Sequence, residues 1–178
     1  MITIASCVPF VWTIILSQQS PMTSISDLEL VQRLILAAAL GAALGFEREL
    51  RQKSAGLRTN ILIAVGAALF TLTSVEMAEA AGADPTRIAA QIVTGIGFLG
   101  AGAIMRTGSG VQGLTTAATV WVNAAVGVAA GGGKMHLAII GTAVTLAALL
   151  MLAPVERRLE RFARRKGLVA PENDPTGA

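Results

Sequence analysis

The sequence predicts an all-α, polytopic membrane helix bundle of five transmembrane helices, with a short sixth span at the N-terminus as an alternative. Three observations carry this reading. Of 178 residues, 53% are hydrophobic and 14% are charged, against about 25% charged in an ordinary soluble domain. The mean hydropathy is correspondingly +0.66. The apolar residues also fall in blocks, at residues 30–46, 57–75, 88–105, 111–130 and 137–153, of 17, 19, 18, 20 and 17 residues. At ~1.5 Å per residue each block is roughly 25 to 30 Å long, close to the hydrocarbon thickness of a bilayer. Finally, Lys and Arg are distributed unevenly between the two sides those five crossings define.

The loop between the first and second blocks carries Arg48, Arg51, Lys53 and Arg58, and the segment after the fifth carries Arg157, Arg158, Arg161, Arg164, Arg165 and Lys166. Both lie on one side, together with Arg106, while Arg33, Arg87 and Lys134 lie on the other, a split of eleven against three. Cytoplasmic loops hold the excess of basic residues. The N-terminus of the five-helix domain is therefore expected outside and the C-terminus in the cytoplasm.

Residues 1–29 precede the first block. Within them residues 2–16 are apolar but short, contain Pro9, and have no Lys or Arg before them, so the basic flank of a secretory signal peptide is missing. Either this segment is an extra span starting in the cytoplasm, or the natural start is Met22 and the first 21 residues over-extend the reading frame.

Residues 30–154 form the transmembrane domain. Lipid supplies no hydrophobic force between helices, so close association needs small residues. The first helix offers Ala37, Gly41 and Gly45 on one face. The third offers Gly95, Gly97, Gly100 and Gly102, which fit tight packing, with a locally opened helix lining a polar cavity as the alternative. Polar residues at helical spacing mark an interior face. Such stripes run through Asn60, Ala64, Ala67, Thr71 and Ser74 in the second helix, and through Arg87, Gln91, Gly95, Phe98 and Gly102 in the third. In the fourth the stripe is Thr116, Thr119, Asn123, Gly127 and Gly131. A shared interior of Asn60, Gln91, Thr116, Thr119 and Asn123 would hydrogen-bond helix to helix or bind a small polar ligand.

Charges gather at the edges of the spans. Glu47, Arg48, Glu49, Arg58 and Arg106 fall at the predicted cytoplasmic face, where Glu47 or Glu49 would pair with Arg58 or Arg106, or form a solvated rim. Residues 155–169 place Val155, Leu159 and Phe162 among arginines, an amphipathic basic helix on the cytoplasmic leaflet, with a docking site for another protein as the alternative. Residues 170–178 read as a disordered tail.

The same inventory excludes several functions. Cys7 is the only cysteine and His136 the only histidine, placed in a loop beside Lys134, so no multi-ligand transition-metal site is expected. No Asp or Glu lies within the five blocks, which leaves a magnesium pathway poorly supplied with hard oxygen ligands. Glu76, Glu79 and Asp84 are expected in an outer acidic loop. Gly95-x-Gly97-x-x-Gly100 and Gly108-x-Gly110-x-x-Gly113 match the dinucleotide fingerprint literally but lack its strand, helix and acid, and Gly133-Lys134-Met135 is no phosphate loop. No nucleophile, base and orienting acid fall together. The expectation is a non-enzyme without cofactor or nucleic-acid partner.

The ordered blocks Gly41-Ala-Ala-Leu-Gly45-Phe-Glu47-Arg48-Glu49, Ala55-Gly56-Leu57-Arg58-Thr59-Asn60, Ile88-Ala-Ala-Gln91, Gly95-Ile-Gly-Phe-Leu-Gly-Ala-Gly102 and Gly113-Leu-Thr-Thr-Ala-Ala-Thr119-Val-Trp121 resemble the MgtC/SapB family of bacterial inner-membrane proteins. The match runs from about Leu30 to Phe162. The resemblance implies a five-helix domain linked to growth under magnesium limitation and, in pathogens, to survival inside macrophages. It further implies a regulator of other membrane machines, the ATP synthase or cation uptake systems, and not a magnesium transporter itself. The implied partners are the lipid bilayer, another integral membrane complex and further copies of the chain. Well-studied members carry an additional soluble C-terminal domain resembling an ACT fold, which this sequence does not extend into. A transporter or channel for a cation or small polar solute, using Gln91 and Asn123, is the competing expectation.

Overall fold

A computed structural model describes residues 25–107 and 110–165. Residues 2–16 and the tail 170–178 lie outside the described residues. The elements are α1 (Asp27–Leu50), α2 (Leu57–Ala81), α3 (Arg87–Gly102), β1 (Met105–Thr107), β2 (Gly110–Gln112), α4 (Leu114–Gly131) and α5 (Met135–Arg165). Among the described residues four of the five helices, α1, α2, α4 and the first part of α5, are long and apolar enough to cross a membrane, and α3 is a shorter apolar helix of 16 residues.

The ends of these elements follow from local chemistry. Ser26 caps α1 by accepting the Glu29 N–H at 3.3 Å, and Asp27 and Glu29 complement the positive end of the helix dipole. Helix α2 runs on past residue 75 to Ala81 and closes on Gly82, whose φ of 60° lets its N–H reach the Ala78 carbonyl. Glu76 and Glu79, expected in a loop, therefore sit on the last turns of α2, and only Asp84 lies in the connection. Residues at the expected junction of the third and fourth spans instead pair as an antiparallel ribbon, with Arg106 opposite Val111. Gly113 sets the start of α4 at φ 90°, where a side chain would strike the Ala103 carbonyl. His136 lies on the exposed first turn of α5 and not in a loop. Pro154 was expected to separate the last span from a surface helix, but α5 continues through it to Arg165. The missing N–H there frees one carbonyl, a loss that a helix in this setting tolerates.

Helix α2 is the centre of the bundle. It packs most extensively on α1 and next on α4, while α3 leans on α4 and α2, and α5 on α4 and α1. The inner faces are made of small residues: Ala37, Ala64, Ala68, Val126, Ala130 and Ala138 form one buried cluster, and Ala67, Ile96, Val120 and Ala124 a second. Large apolar side chains point outward, among them Leu62, Phe70, Ile140 and Val144. The largest fully buried side chains are Leu44, Asn60 and Asn123. This inside-out size distribution suits a lipid solvent, where helices gain by bringing backbones together.

Four glycines permit that approach. A methyl at Gly41 would lie 2.8 Å from both the Ala64 side chain and the Asn60 carbonyl, and one at Gly45 would lie 2.8 Å from the Leu57 Cα. From α4, a methyl at Gly127 would come within 2.3 Å of the Ala64 carbonyl, and one at Gly131 within 2.5 Å of the Ala68 carbonyl. Gly127→Ala should therefore destabilise the bundle by about 1–3 kcal/mol through overpacking against a backbone that cannot yield. Gly141→Ala, which meets nothing within 4 Å, should be neutral or stabilise by up to about 1 kcal/mol through helix propensity. Unfolding of both variants in detergent checks the contrast.

Candidate functional site

The polar residues converge where α2 and α4 cross, near the loop that joins α1 to α2. Asn60 and Asn123 are fully buried and touch each other. The Asn123 Nδ2 donates to the Asn60 carbonyl at 2.6 Å and to Asn60 Oδ1 at 3.1 Å. Asn60 in turn donates from Nδ2 to the carbonyls of Ala55 at 2.5 Å and Gly56 at 3.0 Å. Those two donations hold a tight loop in which Gln52 and Ala55 both adopt positive φ, near 52° and 58°. Asn123 Oδ1 is buried with no hydrogen-bond partner among the described residues.

Thr116 and Thr119 are buried beside this pair. Thr116 Oγ1 accepts from the Ser54 hydroxyl at 3.3 Å, which ties α4 to the same loop, whereas the Thr119 hydroxyl donates to the Thr115 carbonyl of its own helix. Gln91 does not join them. It is exposed and lines a groove between α2 and α3. The expected inner stripe of α3, through Gln91, Phe98 and Gly102, is thus displaced: the buried residues are Ile96 and Gly100, while Phe98 is 83% exposed. Burying branched Ile96 against Ala67, Val120 and Ala124 removes more apolar surface than burying a glycine edge would, and this sets the rotation of α3.

The small residues of α3 consequently do not pack as expected. Gly95, Gly97 and Gly102 have nothing within 4 Å of where a Cβ would stand, and Gly100 makes only ordinary contact with Ala117. Ala37, Gly41 and Gly45 are buried within the bundle, against α2 in the case of the two glycines. Gly127 and Gly131, read in sequence as part of a polar stripe, make the tightest contacts with α2; their spacing of four was the signal.

The charged residues near the α1–α2 loop also arrange themselves differently from expectation. Glu47 and Arg48 are buried at 5% and 4% exposure. Glu47 pairs with Arg51 and with Arg48, with nitrogen to oxygen distances of 2.5 and 3.5 Å, and not with Arg58 or Arg106. Glu49 accepts the Leu57 N–H at 3.0 Å and so satisfies a free donor at the start of α2. Arg58 and Arg106 stay exposed. Proximity explains the difference: Arg51 stands one turn after Glu47 on the same helix, while Arg106 is carried away on the ribbon.

At the other end of the bundle Arg33, counted from sequence only as a charge on the outer side, clamps two helices. Its Nη1 donates to the Gly131 carbonyl at 2.8 Å, at the end of α4, and its Nη2 to Glu29 at 2.5 Å. A basic residue four positions after an acidic one near a helix start was the available signal. Nearby, Asp84 accepts both the N–H and the hydroxyl of Thr86, and these bonds hold its carboxyl below the usual carboxylate range, with the Arg87 charge adding to the effect. No group of three or more His, Cys, Asp and Glu suited to a metal occurs among the described residues.

Comparison with known proteins points in one direction. The profile of the MgtC family matches residues 34–158. The chain is 49% identical over 135 residues to "Protein MgtC" of Brucella abortus, covering 76% of this chain and 56% of that protein. It is 48% identical over 132 residues to "Protein MgtC" of Salmonella typhimurium, covering 74% and 56%. It is also 47% identical over 137 residues to the Escherichia coli protein named "Putative magnesium transporter YhiD", covering 74% and 64%. The matched segment thus spans little more than half the length of the MgtC relatives. No solved structure matches the chain.

Two outcomes follow from this geometry. Asn60→Ala should destabilise more than Asn123→Ala, because it also releases the Ala55 and Gly56 carbonyls; the coupling in a double-mutant cycle should be about 0.6 and at most about 1.7 kcal/mol. Unfolding measurements on the three variants check this. For Asp84, a depressed carboxyl contributes stability that is present above its unfolded pKa and is lost as pH falls through the lower folded value. A carboxyl-carbon NMR titration should place its midpoint below the usual aspartate range, and Thr86→Val should raise it.

Proposed function

Because the chain belongs to the MgtC family, we propose that it is a non-catalytic membrane regulator acting on other integral complexes, the ATP synthase or a cation uptake system, during growth under magnesium limitation. One observation supports this reading over transport. The buried Asn side chains of the core are engaged with each other and with loop carbonyls, while α3 turns a stripe of Ala90, Thr94, Gly97 and Ala101 away from the bundle. These four exposed small residues follow helical spacing and suit close approach by a partner's helix. The Ala37, Gly41 and Gly45 face, the first candidate from sequence, is occupied inside the chain. In this reading the membrane is the bacterial inner membrane, with the Glu47 end of the bundle toward the cytoplasm, where its basic residues satisfy the charge rule.

The name of the Escherichia coli relative keeps a magnesium-transport reading in play. Proteoliposomes carrying the full chain, followed with magnesium and proton indicators, separate the two. The regulator reading expects no flux above protein-free vesicles. Flux that disappears in an Asn123→Leu, Gln91→Leu double variant would establish transport instead. On the regulator reading, Gly97→Leu should abolish crosslinking to other membrane proteins in native membranes while leaving insertion and stability intact. Unchanged crosslinking would count against the α3 face.

A further inference from the structure

A groove of about 580 Å³ runs between α2 and α3, from Thr59 and Leu99 at the Glu47 end, past Gly66 and Gly95, to Phe70, Ile88 and Gln91. Beyond Gln91 it continues into a second hollow that reaches Ser74, Asp84 and Arg87 at the mouth. Its rims are large exposed apolar side chains, Leu62, Phe70 and Leu99. Gly66 and Gly95 both line its middle and meet nothing within 4 Å, so their lack of side chains opens the slot instead of closing the two helices together.

We propose that this groove is a binding site for one phospholipid, an acyl chain lying along α2 and α3 with the glycerol ester at Gln91 and the phosphate at Arg87. The lining favours an acyl chain, since apart from Thr59 and Gln91 it is apolar and Gly66 and Gly95 leave a slot without side chains along its middle. Polar chemistry fixes the direction. Gln91 is an amide at membrane depth that makes no hydrogen bond among the described residues, and an ester carbonyl supplies the acceptor that hydrocarbon cannot. Arg87 stands one turn nearer the water on the same face and makes no ion pair among the described residues. The neighbouring Asp84 carboxylate lies in the field of Arg87 but takes its hydrogen bonds from Thr86 and forms no close ion pair with the guanidinium, whose N–H donors stay available to a phosphate. This site is distinct from the Gly97 face proposed above and does not depend on it.

Native mass spectrometry of the full chain in mild detergent, delipidated and then titrated with phosphatidylglycerol, tests the proposal. One phospholipid should bind, and Gly66→Leu or the Gly66→Leu, Gly95→Leu pair should abolish it by filling a slot that has room for the new side chains. Arg87→Gln with Gln91→Leu should weaken binding about tenfold or more. In proteoliposomes containing a phosphatidylcholine with a photoactivatable acyl chain, label should concentrate on Ile63, Ile92 and Leu99 over the more exposed Ile140 and Val144. Even labelling of both sets, or lipid retained by the leucine pair, would overturn the proposal. So would a high-yield disulfide between two copies carrying Gly95→Cys, which would assign the groove to a second chain.

Discussion

The approach of α4 onto α2, backbone against backbone, is the constraint on which the rest of the bundle depends. With a Cβ at Gly127 or Gly131 excluded by the Ala64 and Ala68 carbonyls, the two helices cross at the shortest distance their main chains allow. That crossing places Asn123 within reach of the Asn60 carbonyl, and Asn60 then reaches back to hold the α1–α2 loop. The loop positions Glu49 against the first turn of α2 and Ser54 against Thr116. Packing, polar satisfaction and loop geometry are therefore one arrangement, and no part of it survives a wider crossing.

The two ends of the bundle solve the same problem with different chemistry. At the Arg33 end a guanidinium bridges α1 to the carbonyl terminus of α4, and the α2–α3 connection is pinned by Ser74 donating to the Pro85 carbonyl at 2.7 Å. At the Glu47 end the charges are drawn inward, with Glu47 shared between Arg48 and Arg51. A buried pair of this sort is weak evidence for stability, since desolvation offsets much of the attraction, and its stronger effect is to fix which residues face the core.

Much of this was legible in the sequence. Composition and block lengths carried the helices, and period-3.6 stripes correctly marked Asn60, Ala64, Ala67, Thr71 and Ser74, and Thr116, Thr119, Asn123, Gly127 and Gly131, as inward faces. The stripe on α3 misled because glycines satisfy every face of a helix equally, so the rotation was decided by Ile96, which a polarity count overlooks. Ion pairing was misread because loop charges were assigned by side of the membrane, which does not tell Arg51, one turn from Glu47, from Arg106 on a ribbon. The ribbon falls on the short polar junction between two apolar blocks, which reads in sequence as a plain loop, and Gly113, placed where no side chain fits, marks where α4 begins.

The small interior has a consequence for how such a chain can drift. In a water-soluble protein, exchanging one buried aliphatic side chain for another of similar volume is among the mildest of changes. Here the buried set is dominated by Ala37, Ala64, Ala68, Ala124 and Ala130, each a ceiling on size set by a neighbouring helix. Growth at any of them must push main chains apart, whereas Leu62, Ile140 or Val144 on the outer surface can exchange for any apolar residue at little cost. Variation across descendants of this sequence should then be greatest among its largest hydrophobic residues and least among its smallest, the reverse of the pattern in a globular core.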